Sequence, residues 1–254
     1  MEVVIVTGAS QGIGKAICRQ FASEKKAVIA LSRNTNLLEQ LTFELSAQTP
    51  IWHFMLDLAD PRSIEHGISQ IKALLQSHPY LQLKGIINNA GIYFHNNPYD
   101  QRQDLWLKHM QINFLGHVQL TEALIKTLKA FAPSFIINIS STLAFQVKPG
   151  TGAYAASKAA MNQWTRVLAL ELAPQIRVNA IAPGIVDTPI HQPTLNNQND
   201  GANDMKKEWG KLHPMKRIGN PEDIAQACSF LADHQRSNWI TGIIMEVDGG
   251  IHLI

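Results

Sequence analysis

Short apolar runs alternate with longer amphipathic stretches along the whole chain. Val3–Val6, Ala27–Leu31, Ile51–Met55, Gly85–Asn88, Phe135–Ile139, Arg177–Ile181 and Ile243–Val247 are short and rich in Val and Ile. Parallel strands covered on both faces have this character. Between them a helical period marks Ile13–Glu24, Leu37–Ala47, Arg62–Gln76, Gln101–Ala130, Tyr154–Leu172 and Pro221–Ala232. Strict alternation of β and α predicts an α/β fold with a doubly wound sheet, helices on both faces and right-handed crossovers. No linker or repeat interrupts it, so one domain over residues 1–254 is expected.

One segment breaks the rhythm. From Gly184 to His213 the periodicity is lost, and Asn, Asp, Gln and Pro accumulate in Thr194-Leu195-Asn196-Asn197-Gln198-Asn199-Asp200-Gly201. A long loop after the carboxyl end of a strand lies where open α/β sheets bind ligands, so 184–213 reads as a substrate lid.

Composition adds little beyond exclusions. Lys and Arg total 22 against 20 Asp and Glu, a net charge of +2, which gives neither nucleic acid nor a membrane surface an electrostatic reason to bind. No apolar run reaches the roughly 18 residues of a membrane span. The start, Met1-Glu2-Val3-Val4-Ile5-Val6, reads as a strand and not as a signal peptide. Cys18 and Cys228 are far apart in helical patterns, as small buried side chains in a reducing compartment would be, and cytoplasm is expected. The ten histidines show no metal-ligand spacing, so no metal site is expected.

The first chemistry-bearing pattern is Thr7-Gly8-Ala9-Ser10-Gln11-Gly12-Ile13-Gly14, between the first strand and the first helix. Gly8 permits the tight turn, Gly12 lets backbone approach a pyrophosphate, and Gly14 lets helix pack on sheet. The helix N-terminus then offers free N–H groups and a positive dipole end to phosphates.

The second is Tyr154-Ala-Ala-Ser-Lys158, which places a phenol and an ammonium on one helix face. A free phenol, with a pKa of about 10, is a poor base at neutrality. Lowering it by roughly three units takes about 4 kcal/mol. A cation at about 4 Å supplies that at an effective dielectric near 20, but only about 1 kcal/mol in bulk water. The pair is therefore useful only where water is partly excluded.

These residues together resemble the short-chain dehydrogenase/reductase family over essentially the whole chain. The glycine loop is followed by Asn88-Asn89-Ala90-Gly91, Asn113 in Gln111-Ile112-Asn113-Phe114-Leu115-Gly116, and Ile139-Ser140-Ser141. Tyr154 and Lys158, Pro183-Gly184 with Thr188, and Thr241-Gly242 through Val247-Asp248-Gly249-Gly250 complete the set. The resemblance implies a Rossmann-type sheet of seven parallel strands in the order 3-2-1-4-5-6-7, and hydride transfer between nicotinamide and a carbonyl or alcohol carbon.

It also implies residue roles. Tyr154 would be the general acid in reduction, Lys158 its activator and a ligand of the nicotinamide ribose, and Ser141 the hydrogen-bond partner of the substrate oxygen, with Ser140 the alternative. Asn113 would break its helix locally and anchor a proton-relay water. Gly8, Ser10, Gln11, Gly12, Ile13 and Gly14 would hold the pyrophosphate side. Asp57 and Leu58 would meet the adenine, Asn89, Ala90 and Gly91 would line the cleft, and Pro183, Gly184, Ile185 and Thr188 would hold the carboxamide.

An NAD site carries an acid about 20 residues past the glycine loop, bonded to the ribose 2′-hydroxyl. Ser32 stands there instead, followed by Arg33, whose guanidinium can pair with a 2′-phosphate. NADP(H) is therefore preferred. NAD(H) stays open, because Gln11 stands where many NADP-dependent members carry a second basic residue.

The helix Tyr154–Leu172 is apolar nearly all round, so a second cover is expected beyond the sheet. The family's habit implies a homotetramer, or a dimer, through this helix and Gln101–Ala130. Tyr93, Phe94, Leu143, Phe145 and Ile190 are candidates for an apolar substrate pocket. Substrate class stays open among 3-oxoacyl thioesters, with 3-oxoacyl-acyl-carrier-protein reductase the named candidate, keto sugars, alcohols and small ketones. A non-catalytic dinucleotide sensor on the same fold is the alternative, although such proteins lose the Tyr or the Lys that this chain keeps.

Overall fold

The computed structural model describes residues 1–100, 102–191 and 202–254. Seven strands form one sheet: β1 (Glu2–Thr7), β2 (Ala27–Ser32), β3 (Ile51–Met55), β4 (Gln82–Asn88), β5 (Ser134–Ile139), β6 (Ile176–Pro183) and β7 (Ile244–Val247). Their order is β3-β2-β1-β4-β5-β6-β7 and every pairing is parallel, as expected. The reversal of winding falls between β1 and β4, where a ligand crevice is expected.

Strand composition explains the layering. Val3 and Ile5 pack on one side with Ile64, Leu120 and Leu168, and Val4 and Val6 pack on the other with Ile17, Leu41 and Ile224. Side chains alternate across a strand, so a run apolar at every position needs cover on both faces. Helices α1 (Gly12–Ser23) and α2 (Thr35–Leu45) lie on the second side. Helix α3 (Pro61–Ser77) lies on the first.

The stretch expected as one helix from Gln101 to Ala130 is broken. It comprises α4 (Gln103–Met110), a π-helical turn (Gln111–Leu115), α5 (Gly116–Glu122) and α6 (Ile125–Ala130). The wide turn centres on Asn113, whose amide is bonded elsewhere, as described below. The remaining long helices are α7 (Gly152–Leu172), α8 (Ala202–Lys211) and α9 (Pro221–Ala232). Asn220 and Asp223 form a capping box at the start of α9, satisfying two backbone donors reciprocally.

Helix α8 gives regular structure to part of the 184–213 segment, where the sequence carries no period. Its charges pair at i,i+3, Asp204 with Lys207 and Glu208 with Lys211. Trp209 packs its ring against His191 with centroids 5.3 Å apart, and Lys206 bridges to Asp187 at 2.8 Å. The helix is polar on average, with few apolar residues among its charges, which hides it in a segment rich in Asn, Asp and Gln. Residues 192–201 of the expected lid lie outside the described residues. No described helix is long and apolar enough to cross a membrane.

Candidate active site

The glycine loop leaves β1 with Gly8 at φ +65° and enters α1 with Gly12 at φ +54°, backbone that L side chains rarely adopt. At Gly14 the constraint is space. A Cβ there would stand 2.2 Å from the carbonyl oxygen of Gly8 and 2.6 Å from Asn89 Nδ2. The close approach is therefore between the helix start and the turn itself. Asn89 Nδ2 donates to Thr7 O at 2.8 Å, and the Asn89 and Ala90 amides donate to Thr7 Oγ1 at 2.9 and 3.0 Å, stitching the ends of β1 and β4 together. Beneath them Asn88 Nδ2 donates to Thr121 Oγ1 at 3.0 Å and Asn138 Oδ1 at 2.8 Å, and Asn138 Nδ2 donates to Thr165 Oγ1 at 2.8 Å. This buried amide chain ties α5, β4, β5 and α7 together.

Above the carboxyl ends of β1, β4 and β5 lies a cleft of about 650 Å³. Every residue expected to hold cofactor lines it except Gly14, which sits behind the turn. At one end Ser32 Oγ donates to Ser10 Oγ at 2.8 Å, and Arg33 stands exposed beside it without an ion-pair or hydrogen-bond partner among the described residues. Asp57 Oδ1 accepts from the Ala59 amide at 2.9 Å. Helix α1 has no acidic residue in its first turn and no side chain capping it, leaving its first N–H groups to the cleft.

At the other end Ser141, Tyr154 and Lys158 come together in the cleft wall. The Ser141 side chain stands near enough to the Tyr154 phenol to oppose the rise in its titration while accepting from the Leu143 amide at 3.2 Å, whereas Ser140 Oγ donates weakly to the Lys158 carbonyl at 3.4 Å. Geometry thus separates two serines that sequence left adjacent. Lys158 Nζ lies 5.8 Å from the Tyr154 ring centre and donates to Ile139 O at 2.7 Å.

Burial pushes the phenol up to about 12, with Ser141 opposing it and Tyr93 adding to it. Burial pushes Lys158 down to about 8. In the dinucleotide-free cleft burial holds the phenol up, and the Lys158 ammonium donates to the Ile139 carbonyl.

Asn113 stands behind this wall. Its Oδ1 accepts from Ile92 N at 2.8 Å, and its Nδ2 donates to Ile92 O at 3.1 Å and Ser157 Oγ at 3.0 Å. A Cβ on Gly91 would be 3.4 Å from Asn113 Oδ1 and 3.5 Å from Lys158 Nζ, so both groups flank Gly91. The π turn aims the amide there.

Of the expected pocket residues, Tyr93, Leu143 and Ile190 line the cleft and Phe94 and Phe145 do not. Phe145 is exposed. Phe94 packs on His109 and under Lys108. Lys148, Thr151, His191, Trp209, Leu212 and Ile251 also line it and carry no motif that sequence reading could use. Nor did sequence reveal His109, buried beside Tyr154 with ring centres 6.3 Å apart. Its Nε2 accepts from Phe94 N at 3.1 Å, so Nδ1 carries the proton and donates to Leu105 O at 2.7 Å. No group of residues able to hold a metal occurs among the described residues.

Comparison with known proteins agrees with this geometry. The family model described as enoyl-(acyl carrier protein) reductase matches residues 8–252. The chain is 32% identical over 260 residues to protein FixR of Bradyrhizobium diazoefficiens, covering 99% of this chain and 87% of that one. It is 31% identical over 251 residues to the 3-oxoacyl-(acyl-carrier-protein) reductase of Chlamydia muridarum, covering 98% and 97%. The ligand-free structure of Thermoplasma acidophilum aldohexose dehydrogenase superposes with a TM-score of 0.88 at 30% identity, covering 100% and 94%.

Proposed function

The chain belongs to the short-chain dehydrogenase/reductase family of NAD(P)-dependent oxidoreductases, and on that premise we propose that it reduces a carbonyl substrate with NADPH. One observation carries the reading: Ser141, Tyr154 and Lys158 come together in the wall of a cleft whose other end holds Arg33.

When bound, the nicotinamide supplies the hydride. The protein's own groups do the rest. Ser141 and Tyr154 donate hydrogen bonds to the substrate oxygen, and Tyr154 gives up its proton as that oxygen gains negative charge. A phenol held high is suited to staying protonated until then. Lys158, flanking Gly91 with Asn113, offers its ammonium to the ribose hydroxyls and returns a proton to the phenol, with Asn113 anchoring the relay.

The cleft fits a dinucleotide on its own evidence. Gly12 has no Cβ where the chain runs close to Thr188, the N-terminus of α1 offers uncapped donors, and Asp57 keeps a carboxylate near the adenine position. Arg33 supports a 2′-phosphate, since Ser32 leaves no carboxylate there to repel it. Gln11 and the likeness to an aldohexose dehydrogenase support a second reading, an NAD(H)-dependent sugar or alcohol dehydrogenase. The likeness to 3-oxoacyl-(acyl-carrier-protein) reductase supports 3-oxoacyl thioesters as the first substrate class to try. Leu107, Leu115, Val167 and Leu170 are exposed, which supports a homotetramer or dimer through α4 and α7.

A carbonyl panel with NADPH and with NADH tests the reading. Wild type oxidises NADPH in preference, Arg33→Ala loses that preference, and Tyr154→Phe loses turnover. A Tyr154→Phe protein as active as wild type would overturn it.

A further inference from the structure

The substrate end of the cleft has an uneven charge. Among the described residues lining the cleft, Asp57 is the sole carboxylate, and it lies at the adenosine end with Arg33. Tyr93 stands against Tyr154 with ring centres 5.1 Å apart, and Leu143, Trp209 and Ile251 add apolar area to a lining that also holds Thr142, Thr151 and His191. Into this wall the turn before α7 brings one further cation, Lys148, six residues ahead of Tyr154. Its ammonium has no acceptor among the described residues, whereas Lys15, Lys26 and Lys206 each have a carboxylate.

The turn that carries Lys148 is anchored. Thr151 Oγ1 donates to the Lys148 carbonyl at 2.7 Å, the Asn96 amide donates to Gly150 O at 2.9 Å, and the Ala153 amide donates to Asn96 Oδ1 at 3.2 Å. Thr151 and Asn96 are buried. Lys148 itself is exposed at the cleft rim, so its unpaired ammonium, fixed in place by this turn, draws an anion to the cleft through a field that salt screens.

We propose that Lys148 sets substrate class: the substrate carries an anionic group that pairs with Lys148 while its carbonyl lies at Ser141 and Tyr154. A carboxylate, as in an oxo acid, and a phosphate, as in a keto phosphate, share this chemistry. The inference rests on the carbonyl-reductase reading above and extends it to what the rest of the substrate must look like.

Binding to the NADPH-loaded protein tests it independently of turnover. Oxo acids from pyruvate to levulinate are titrated beside their methyl esters, and dihydroxyacetone phosphate beside dihydroxyacetone, with the quench of bound NADPH read at mixing, before any hydride transfer, and NADPH absorbance followed separately for turnover. The wild type binds at least one anionic member about tenfold more tightly than its neutral partner, the scale of one charged pair in a partly shielded site. That ratio falls to about one in Lys148→Ala, inverts in Lys148→Glu, returns in Lys148→Arg, and shrinks as salt is added. Whichever pair shows the ratio identifies the source of the charge. Equal affinity for acid and ester, and for phosphate and free ketone, in the wild type would overturn the proposal, as would a ratio that Lys148→Glu leaves intact. If the ratio behaves as expected but no NADPH is oxidised, the assignment of Lys148 stands and the reductase reading falls.

Discussion

The ammonium of Lys158 stands 5.8 Å from the ring centre of Tyr154, yet its short hydrogen bond, 2.7 Å, goes to the carbonyl of Ile139. Both groups are buried. Each therefore resists charge, the phenol held up at about 12 and the ammonium down at about 8. The pair is arranged to keep a proton available, and on the function proposed above dinucleotide binding beside Gly91 and Lys158 would redistribute it.

Lys158 should cost stability in the dinucleotide-free protein. Its ammonium holds a proton up to its ordinary 10.5 in the unfolded chain but only to about 8 when folded. Between those values the unfolded chain binds more protons, so stability rises with pH across that window. Below it the full penalty applies. Lys158→Met is expected to raise unfolding stability at neutral pH by about 1–3 kcal/mol, to flatten that pH dependence, and to abolish turnover. Urea titrations across the window check it.

The two serines should separate cleanly. Ser141 acts on the phenol and Ser140 turns to the Lys158 carbonyl. Ser141→Ala is expected to lower kcat/KM for carbonyl reduction about a hundredfold and to move the Tyr154 titration higher still. Ser140→Ala should cost less than about tenfold, since its bond to Lys158 O is long and weak. Steady-state kinetics on the two variants decides between them.

Gly14→Ala is the severe lesion in the glycine loop. Its Cβ would meet the Gly8 carbonyl at 2.2 Å, and backbone cannot yield there without opening the turn. A loss of about 1–3 kcal/mol is expected, together with loss of NADPH binding. Gly12→Ala meets Thr188 Cγ2 and Cβ at 3.2 and 3.3 Å, side-chain atoms and not backbone, but is strained at φ +54°, so it should fold better and still bind poorly. Thermal unfolding with and without NADPH distinguishes the two.

Asn138→Ala tests the buried amide chain. It leaves one Asn88 Nδ2 hydrogen and Thr165 without their side-chain partner. Unsatisfied buried groups cost about 1–3 kcal/mol each, so denaturation should come correspondingly earlier. The folded fraction should keep its kcat, because no member of the chain reaches the cleft wall.

The elements of this protein were legible because a parallel strand buried on both faces has to be apolar at nearly every position. Seven such runs, with helical periods between them, leave few topologies open. The glycine loop was legible for a similar reason: close backbone approach at Gly14 admits no side chain, so the constraint is written as a residue type. What sequence could not contain is the outcome of competition between distant parts. The π turn exists because the Asn113 amide finds the Ile92 backbone and Ser157. Helix α8 is held by Trp209 on His191 and by Lys206 on Asp187, contacts to partners that no local pattern names.

The same division applies to the chemistry. A phenol and an ammonium one helical turn apart were settled by the chain itself, since 3.6 residues per turn puts them on one face. The direction in which each titrates was settled only in three dimensions. Burial depends on what closes over a group and which acceptor it finds, and here α7 laid against β5 turns the Lys158 ammonium toward Ile139 and leaves Ser141, not Ser140, facing Tyr154.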